Sequence, residues 1–304
     1  MSLFAGFDLG GTQLKYGLIN DKGTTIFQTT ASTPPKVENL ILLLKDIWDS
    51  LSKKGQTPIA AAGYGFPGIF SSKEQKIIQS PNYPELDNFE LRPALSRFMD
   101  APFFINNDAN MSAYGELKFG AGQGVQSLVL ITIGTGVGSG IILDGRLWQG
   151  ACGFAGEMGH ITVNPEGEKC RCGSQGCLET EVSASKILKN YQTACRFEED
   201  LTAEEVFFRA QKGDSAARKA FVKAGRYLGI GLASVINFLN PEKILLGGGV
   251  MRSGDFLFLP ALKEARSRSY RSSFLCCSIE KTRLKNKAGF IGAGFWAKDQ
   301  LNSS

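Results

Sequence analysis

The sequence predicts an α/β protein made of two similar domains that face each other. Three observations carry that prediction. Strand and helix patterns alternate along the chain. A hairpin built on a glycine turn near the start returns in the middle. At 304 residues the chain can bury a large core and divide in two.

The elements follow in order. Phe4-Ala-Gly-Phe-Asp8-Leu-Gly10-Gly11-Thr12 reads as a strand running into a glycine turn, then a second strand and a tight Asn20-Asp21-Lys22-Gly23 turn. Val37–Leu51 has helical apolar spacing, and Ile59–Phe66 is a short buried strand. Leu91–Phe98 reads as a helix. Pro102–Asn106 is a strand that runs into Asn107-Asp108, and one of those two side chains caps a helix over Ala109–Leu117. The hairpin pattern then returns as Ser127–Ile133, Gly134-Thr135-Gly136, a second apolar strand and an Asp144-Gly145 turn. Helices are expected over Ser185–Ala194, Thr202–Lys212 and Ala216–Leu239, and a strand over Lys243–Leu246 ends in Gly247-Gly248-Gly249. The expected division is 1–118 with a C-terminal helix near 288–298 packing back, and 119–304 as the larger domain.

Composition narrows the class. A hydrophobic share of 43% against 21% charged residues is that of an ordinary globular protein. The net charge of +5 comes from scattered basic residues, with one cluster at Arg266, Arg268 and Arg271 read as a solvated face. No apolar run is long enough for a membrane span, and the N-terminus lacks a secretory pattern. The seven cysteines are odd in number, and Cys276 and Cys277, being adjacent on an expected strand, point to opposite faces. A reducing, cytoplasmic location is therefore expected.

The densest chemistry lies between Glu157 and Glu179. His160, the one histidine of the chain, is followed by Cys170, Cys172 and Cys177. One imidazole and three thiols fit a closed, structural zinc site, since zinc takes four N/S ligands there. Buried cysteines can also be plain core filler. Here, however, their neighbours are Gly, Ser, Gln and Arg. A metal would fix the loop and, with it, Glu157 and Glu179.

Asp8, Gly10, Gly11 and Thr12 form a candidate phosphate turn. The glycines let backbone N–H groups approach phosphate, Thr12 can donate its hydroxyl, and Asp8 would need magnesium, through water, to sit beside the anion. Gly134, Thr135 and Gly136 offer the same donors in the second copy. Each turn alone reads equally as a plain hairpin turn. Asp108 can take a proton from a hydroxyl, the one chemical task phosphoryl transfer leaves to the protein. It can equally be a helix cap.

Together these pieces resemble the ROK family of sugar kinases and sugar-responsive repressors. The matching stretches are Asp8-Leu-Gly-Gly-Thr12, Gly65-Phe-Pro-Gly68, Asn107-Asp108-Ala-Asn110, Ile133–Gly138, Ala155-Gly-Glu157-Met-Gly-His160, Cys170-Arg-Cys172-Gly-Ser-Gln-Gly-Cys177-Leu-Glu179 and Gly247-Gly-Gly-Val250. The resemblance implies an actin-like ATPase (ribonuclease H-like) fold with two α/β domains around a cleft. It implies ATP and magnesium as partners in the reaction. Asp108 becomes the general base on a sugar hydroxyl. Asn82, Asn107, Glu157, His160 and Glu179 become sugar contacts, with His160 also on the zinc. Gly247, Gly248 and Gly249 become the adenine-side loop. Its closest expectation is a glucokinase acting on the 6-OH, with fructose or an N-acetylhexosamine as alternative sugars and polyphosphate as an alternative donor. A homodimer is expected on the same ground. Kinases of the family often carry Trp shortly after the position of Asn82. Tyr83-Pro-Glu-Leu-Asp stands here instead, which leaves substrate choice open.

The repressor branch places a winged helix-turn-helix ahead of the sugar domain. With the phosphate-turn strand starting at Phe4, no DNA-binding module and no nucleic-acid partner are expected. A sugar sensor without catalysis remains the reading from another class.

Overall fold

The computed structural model describes residues 2–55, 57–71, 74, 76–80, 83–195 and 201–303. Strands β1 (Leu3–Leu9), β2 (Gln13–Asn20) and β3 (Thr25–Ser32) precede helix α1 (Val37–Lys54). Strands β4 (Ile59–Phe66), β5 (Ile69–Ser71) and β6 (Lys76–Gln79), a short helix α2 (Leu91–Leu95), β7 (Phe103–Asn107) and α3 (Asp108–Phe119) follow. Then come β8 (Leu128–Ile133), β9 (Val137–Leu143), β10 (Arg146–Leu147), α4 (Leu178–Val182), α5 (Ala184–Cys195), α6 (Ala203–Gln211) and α7 (Ser215–Leu239). The last elements are β11 (Lys243–Gly247), α8 (Asp255–Arg268), α9 (Arg271–Leu275), β12 (Ser278–Lys281) and α10 (Ala288–Leu301). Among the described residues no helix is long and apolar enough to cross a membrane.

The chain forms two compact units. The first holds Met1–Gln126, Gly140–Gly156 and Arg283–Ser304; the second holds Ser127–Ser139 and Glu157–Thr282. The expected larger domain ran unbroken over 119–304, whereas residues 140–156 group with the first unit. The reason is packing: a side-chain carbon at Gly140 would lie 2.7 Å from Ala113 Cβ and 2.9 Å from the Ala109 carbonyl, so β9 meets α3 at backbone distance.

In the first unit the sheet order is β3-β2-β1-β4-β7. The β1–β2–β3 meander is antiparallel, and β4 and β7 extend it in parallel. All of β1 is buried because both faces are covered. Leu3, Ala5, Phe7 and Leu9 join the core under α1, where Leu40, Leu44, Ile47, Trp48 and Leu51 recur at helical spacing. Phe4 points the other way, to Phe290, Ile291 and Ala297 of α10. A Cβ at Gly6 would sit 1.9 Å from the Phe290 carbonyl and one at Gly63 1.9 Å from that of Ala293. Only glycine lets α10 lie this close to β1 and β4.

The second sheet has order β10-β9-β8-β11-β12, with β11 parallel to β8 and to β12. Both sheets thus place the hairpin strands on one side and the returning parallel strands on the other. The internal echo of the sequence is an echo of topology. Helix α7, capped by Asp214 through Ala216 N and Ala217 N, buries Ala217, Phe221, Leu228, Leu232 and Ile236. Helix α2 is shorter than expected, ending at Leu95 rather than Phe98. Of the two candidate caps of α3, Asn107 is the one used: its side chain accepts from Ala109 N and Asn110 N.

Candidate functional site

The predicted residues fall in two groups, one in each unit. In the first unit Asp8 lies at the end of β1, directly opposite Lys15 of β2. Residues opposite one another on antiparallel strands share a face, and Lys15 Nζ stands 3.5 Å from Asp8 Oδ2. Phe4, Gly6 and Asp8 alternate onto the face that α10 covers. A Cβ at Gly289, in the first turn of α10, would fall 2.3 Å from Asp8 Cγ. Desolvation by this packing raises the Asp8 pKa, and Lys15 opposes the rise.

The turn after β1 is closed by Gly10 N donating to the Gln13 carbonyl at 2.9 Å. Thr33 braces it from the end of β3: its Oγ1 donates to the Gly10 carbonyl at 2.8 Å and its N–H to the Thr12 carbonyl at 3.0 Å. The carbonyls of Gly10 and Thr12 are thereby engaged. Among the described residues no partner takes the N–H of Gly11 or Thr12, and both residues are exposed. A cavity of about 690 Å³ opens beside them, walled by Thr33, Pro35, Tyr83, Pro84 and Glu85. The Tyr83 hydroxyl donates to the Pro34 carbonyl at 2.6 Å and pins the two walls together. Asn82 lies outside the described residues.

Asp108 opens α3, where β7 ends. Its neighbours are held by an amide network. Asn106 Oδ1 accepts from Asn107 N at 2.8 Å and from Asn110 Nδ2 at 2.9 Å, while Asn106 Nδ2 donates to Gln149 Oε1 at 3.2 Å. Asn107 Nδ2 donates to the Gly68 carbonyl at 2.8 Å. Asn107 is therefore committed on both ends of its amide, and Asp108 is left free of capping. Asp108 Oδ1 accepts from Ala109 N at 2.8 Å. Desolvation, with the charge of Asp8 added, pushes its carboxyl up to about 7. Sequence reasoning missed Gln149 and Lys15. Neither sits in a recognisable motif, but the strand register alone would have paired Lys15 with Asp8.

In the second unit His160, Cys170, Cys172 and Cys177 converge, with all four ligand atoms within 4.8 Å of one another. The His160 Nδ1–Cys170 Sγ and Cys172 Sγ–Cys177 Sγ separations are both 3.6 Å. Zinc–ligand bonds of ~2.3 Å to sulfur and ~2.0 Å to nitrogen give tetrahedral edges of roughly 3.5–3.8 Å. The donor set and its spacing therefore fit zinc. The knuckle is ordered by its own backbone: Cys170 N donates to the Ser174 carbonyl at 2.8 Å, and Leu178 N to that of Ile161 at 2.9 Å. His160 turns Nδ1 to the thiols and Nε2 outward, 3.9 Å from Glu157 Oε2.

Glu179 leaves the knuckle on the first turn of α4, and its Oε2 accepts the Val137 N–H at 2.9 Å. Val137 follows Gly134-Thr135-Gly136, and Gly134 N donates to the Gly136 carbonyl at 2.9 Å. Gly247–Gly249 follow β11. Gly248 has φ +90°, and a Cβ there would lie 2.2 Å from the Ile133 carbonyl, so this turn is seated on the end of β8 beside Gly134. Gly249 faces open space. Two glycine turns, Glu157, His160, Glu179 and the thiols thus share one unit.

Known proteins are similar to this chain over nearly its whole length. Residues 4–300 match the model of the ROK family. A glucokinase of Halalkalibacterium halodurans is 35% identical over 99% of this chain and 96% of its own length. A xylose repressor of Caldicellulosiruptor bescii is 33% identical over 94% of this chain and 76% of its own. The crystal structure of a ROK family glucokinase from Streptomyces griseus in complex with glucose and AMPPNP superposes with a TM-score of 0.85 at 29% identity, covering 98% of this chain and 100% of that one. The doubled strand order described above is that of the actin-like ATPase (ribonuclease H-like) fold.

Proposed function

The chain belongs to the ROK family, and from that premise we propose that it is a sugar kinase, transferring the γ-phosphoryl group of ATP to a hexose hydroxyl, with the 6-OH of glucose as acceptor. The observation that carries this reading is Asp108. Its carboxyl sits at the start of α3, is spared from capping by Asn107, and has its pKa raised to about 7, where a general base works best at neutral pH. Its one hydrogen bond in the fold, from Ala109 N to Oδ1, leaves Oδ2 without a structural partner among the described residues.

In this reading Asp108 accepts the proton of the attacking hydroxyl. Asn107, through the second hydrogen of its amide, and Glu157, His160 and Glu179 hold the other hydroxyls of the sugar, and Asn82 is assigned there as well. The free N–H groups of Gly11 and Thr12 and the Thr12 hydroxyl bind phosphate, with Gly10 shaping the turn. Gly134, Thr135 and Gly136 supply the second set of donors, and Gly247, Gly248 and Gly249 the adenine side. Magnesium, held through water beside Asp8, supplies charge neutralisation of the phosphates when bound. Zinc on His160, Cys170, Cys172 and Cys177 has no ligand position left for water, so its contribution is structural. The protein is assigned to the cytoplasm and to a homodimer by the same resemblance.

The 33% identity to a xylose repressor favours a second reading, a sugar-binding regulator without turnover. One experiment separates the two. ADP release is measured with magnesium and ATP across glucose, mannose, fructose, N-acetylmannosamine, N-acetylglucosamine and xylose, with polyphosphate as a second donor. Turnover highest with glucose supports the proposal. Turnover on another hexose moves the assignment to that sugar. Sugar binding by calorimetry with no turnover on any sugar establishes the regulator.

A further inference from the structure

The four side chains that converge in the knuckle are not equally reachable. Cys170 and Cys177 are buried and His160 is half-buried, whereas Cys172 is exposed. It sits on a tip, Arg171 to Gln175, whose residues are all exposed. Gly173 gives that tip room: its φ is +94°, and a Cβ there would meet nothing within 4 Å. Behind the tip the frame is fixed, with Cys170 N donating to the Ser174 carbonyl at 2.8 Å and Gly176 N to that of Glu168 at 2.9 Å. The Cys172 and Cys177 sulfurs stand 3.6 Å apart. A disulfide measures ~2.05 Å, so the exposed tip has to close by about 1.6 Å. A cysteine that ligates metal is held as thiolate, and thiolate is the form that peroxide attacks. An accessible thiolate with a second one beside it is the arrangement of a redox-sensitive pair.

We propose that Cys172 is an oxidation site, that Cys177 is its resolving cysteine, and that forming their disulfide releases zinc from the knuckle. The Cys172 thiolate attacks hydrogen peroxide and breaks the O–O bond. It becomes a sulfenic acid, and hydroxide leaves. The Cys177 thiolate then attacks the Cys172 sulfur and displaces a second hydroxide. The two thiolates give up two electrons, the peroxide takes them, and two protons from solvent complete two waters. His160 and Cys170 alone remain as ligands, too few for a closed zinc site. His160 thereby loses the partner that orients its ring. The effect on sugar rests on the sugar-contact reading above; the oxidation chemistry does not.

The test starts from full-length protein whose zinc content is known from elemental analysis. It is titrated with hydrogen peroxide, zinc release is followed with a chromogenic chelator, and disulfides are mapped by mass spectrometry without reduction. The expected result is loss of all bound zinc together with a Cys172–Cys177 disulfide, formed ahead of any oxidation of the exposed Cys152 and Cys276. Dithiothreitol with added zinc should restore the starting protein. A Cys152→Ser/Cys276→Ser variant should release zinc at the wild-type rate. Cys172→Asp offers an oxygen ligand without an oxidisable sulfur and should keep its zinc through the same titration. Cys172→His replaces it if that variant purifies without metal. Zinc that stays bound while Cys152 is oxidised overturns the inference, as does a disulfide between any other pair or a sulfinic acid at Cys172. A chain that holds no zinc before peroxide is added removes the zinc reading and this inference together. Calorimetry with glucose should show binding about tenfold weaker after oxidation, the scale of losing a partner that orients a ligating histidine. Unchanged glucose affinity after complete zinc release overturns the link to sugar. A chain that binds no sugar at all fails the kinase reading, while zinc release and disulfide mapping still decide the oxidation site.

Discussion

Glu179 Oε2 accepts the backbone N–H of Val137 at 2.9 Å, joining the helix that leaves the cysteine knuckle to the residue that ends the Gly134–Gly136 turn. A residue assigned to sugar and a turn assigned to phosphate are therefore held by one hydrogen bond within one unit. Glu179→Gln keeps an oxygen acceptor and removes the charge. Glu179→Ala removes both and leaves the Val137 N–H without its acceptor. The expectation is a raised sugar KM for both variants. A loss of nucleotide affinity by about 1–2 kcal/mol is expected for Glu179→Ala alone. Equal nucleotide affinity in the two variants would show that the bond does not hold the turn.

Asp108→Asn should lower turnover by at least ~10²-fold, the low end of a general base's contribution, with the sugar Kd nearly unchanged. The Asn carbonyl can still accept from Ala109 N, so the start of α3 keeps its geometry. Near-normal turnover by this variant would reduce Asp108 to a structural residue.

A carboxyl pushed up to about 7 also fixes a pH dependence. The base is ionised only above that value, so kcat/KM should rise with pH to a plateau above about 7. Stability runs the opposite way. The folded-state pKa lies above the unfolded one, so this group's contribution is fully present below the unfolded value near 4 and is lost as pH rises through about 7. Asp108→Asn should therefore melt several degrees higher than the wild type at pH 8 and show little difference at pH 4. Parallel melting scans at the two pH values check this.

Cys172→Ser should yield protein with less than one zinc per chain by elemental analysis, a lower Tm and a raised sugar KM. Nucleotide affinity should stay closer to normal. The asymmetry follows from what the knuckle carries: His160 is itself one of the four side chains that converge there, and Glu179 stands two residues beyond Cys177. Freshly purified wild-type protein without zinc would remove the basis for this prediction.

Gly63→Ala would place a carbon 1.9 Å from the Ala293 carbonyl, closer than any real contact. Helix α10 would have to leave β1 and β4 or shift along them. The expected cost is about 3 kcal/mol, the upper part of the overpacking range, read as a lower denaturant midpoint. The same substitution at Gly124, where a Cβ meets nothing within 4 Å but φ is +85°, should cost only about 1 kcal/mol of backbone strain.

Much of the fold was legible because its signals are local. β4 was read at its observed limits, Ile59–Phe66, since it is a continuous apolar run between turn residues. The capped start of α6 at Thr202 is likewise local, with Glu205 completing a capping box. Other elements escaped for physical reasons. β3 is an edge strand with most side chains exposed, so no apolar pattern marks it. Helix α8 contains Pro260, which reads as a breaker. Helices α4 and α9 span five residues each, too few for a period to show.

For the candidate site the division is similar. The sequence by itself determined the grouping of His160, Cys170, Cys172 and Cys177, the doubled hairpin with its glycine turns, and the junction that carries Asp108. In each of these the residues that act together are neighbours along the chain, so spacing and residue chemistry suffice. Only the tertiary structure decided that Asn107 rather than Asp108 caps α3, that Gln149 orders the amides beside it, that Glu179 holds Val137, and that Gly289 of α10 packs on Asp8. Most of these pairs are brought together by strand order and helix packing across long stretches of chain. The capping choice, though local, also turns on the distant Gly68 carbonyl that fixes the Asn107 amide. No local propensity encodes such contacts; they exist once the sheet is assembled and its faces are covered.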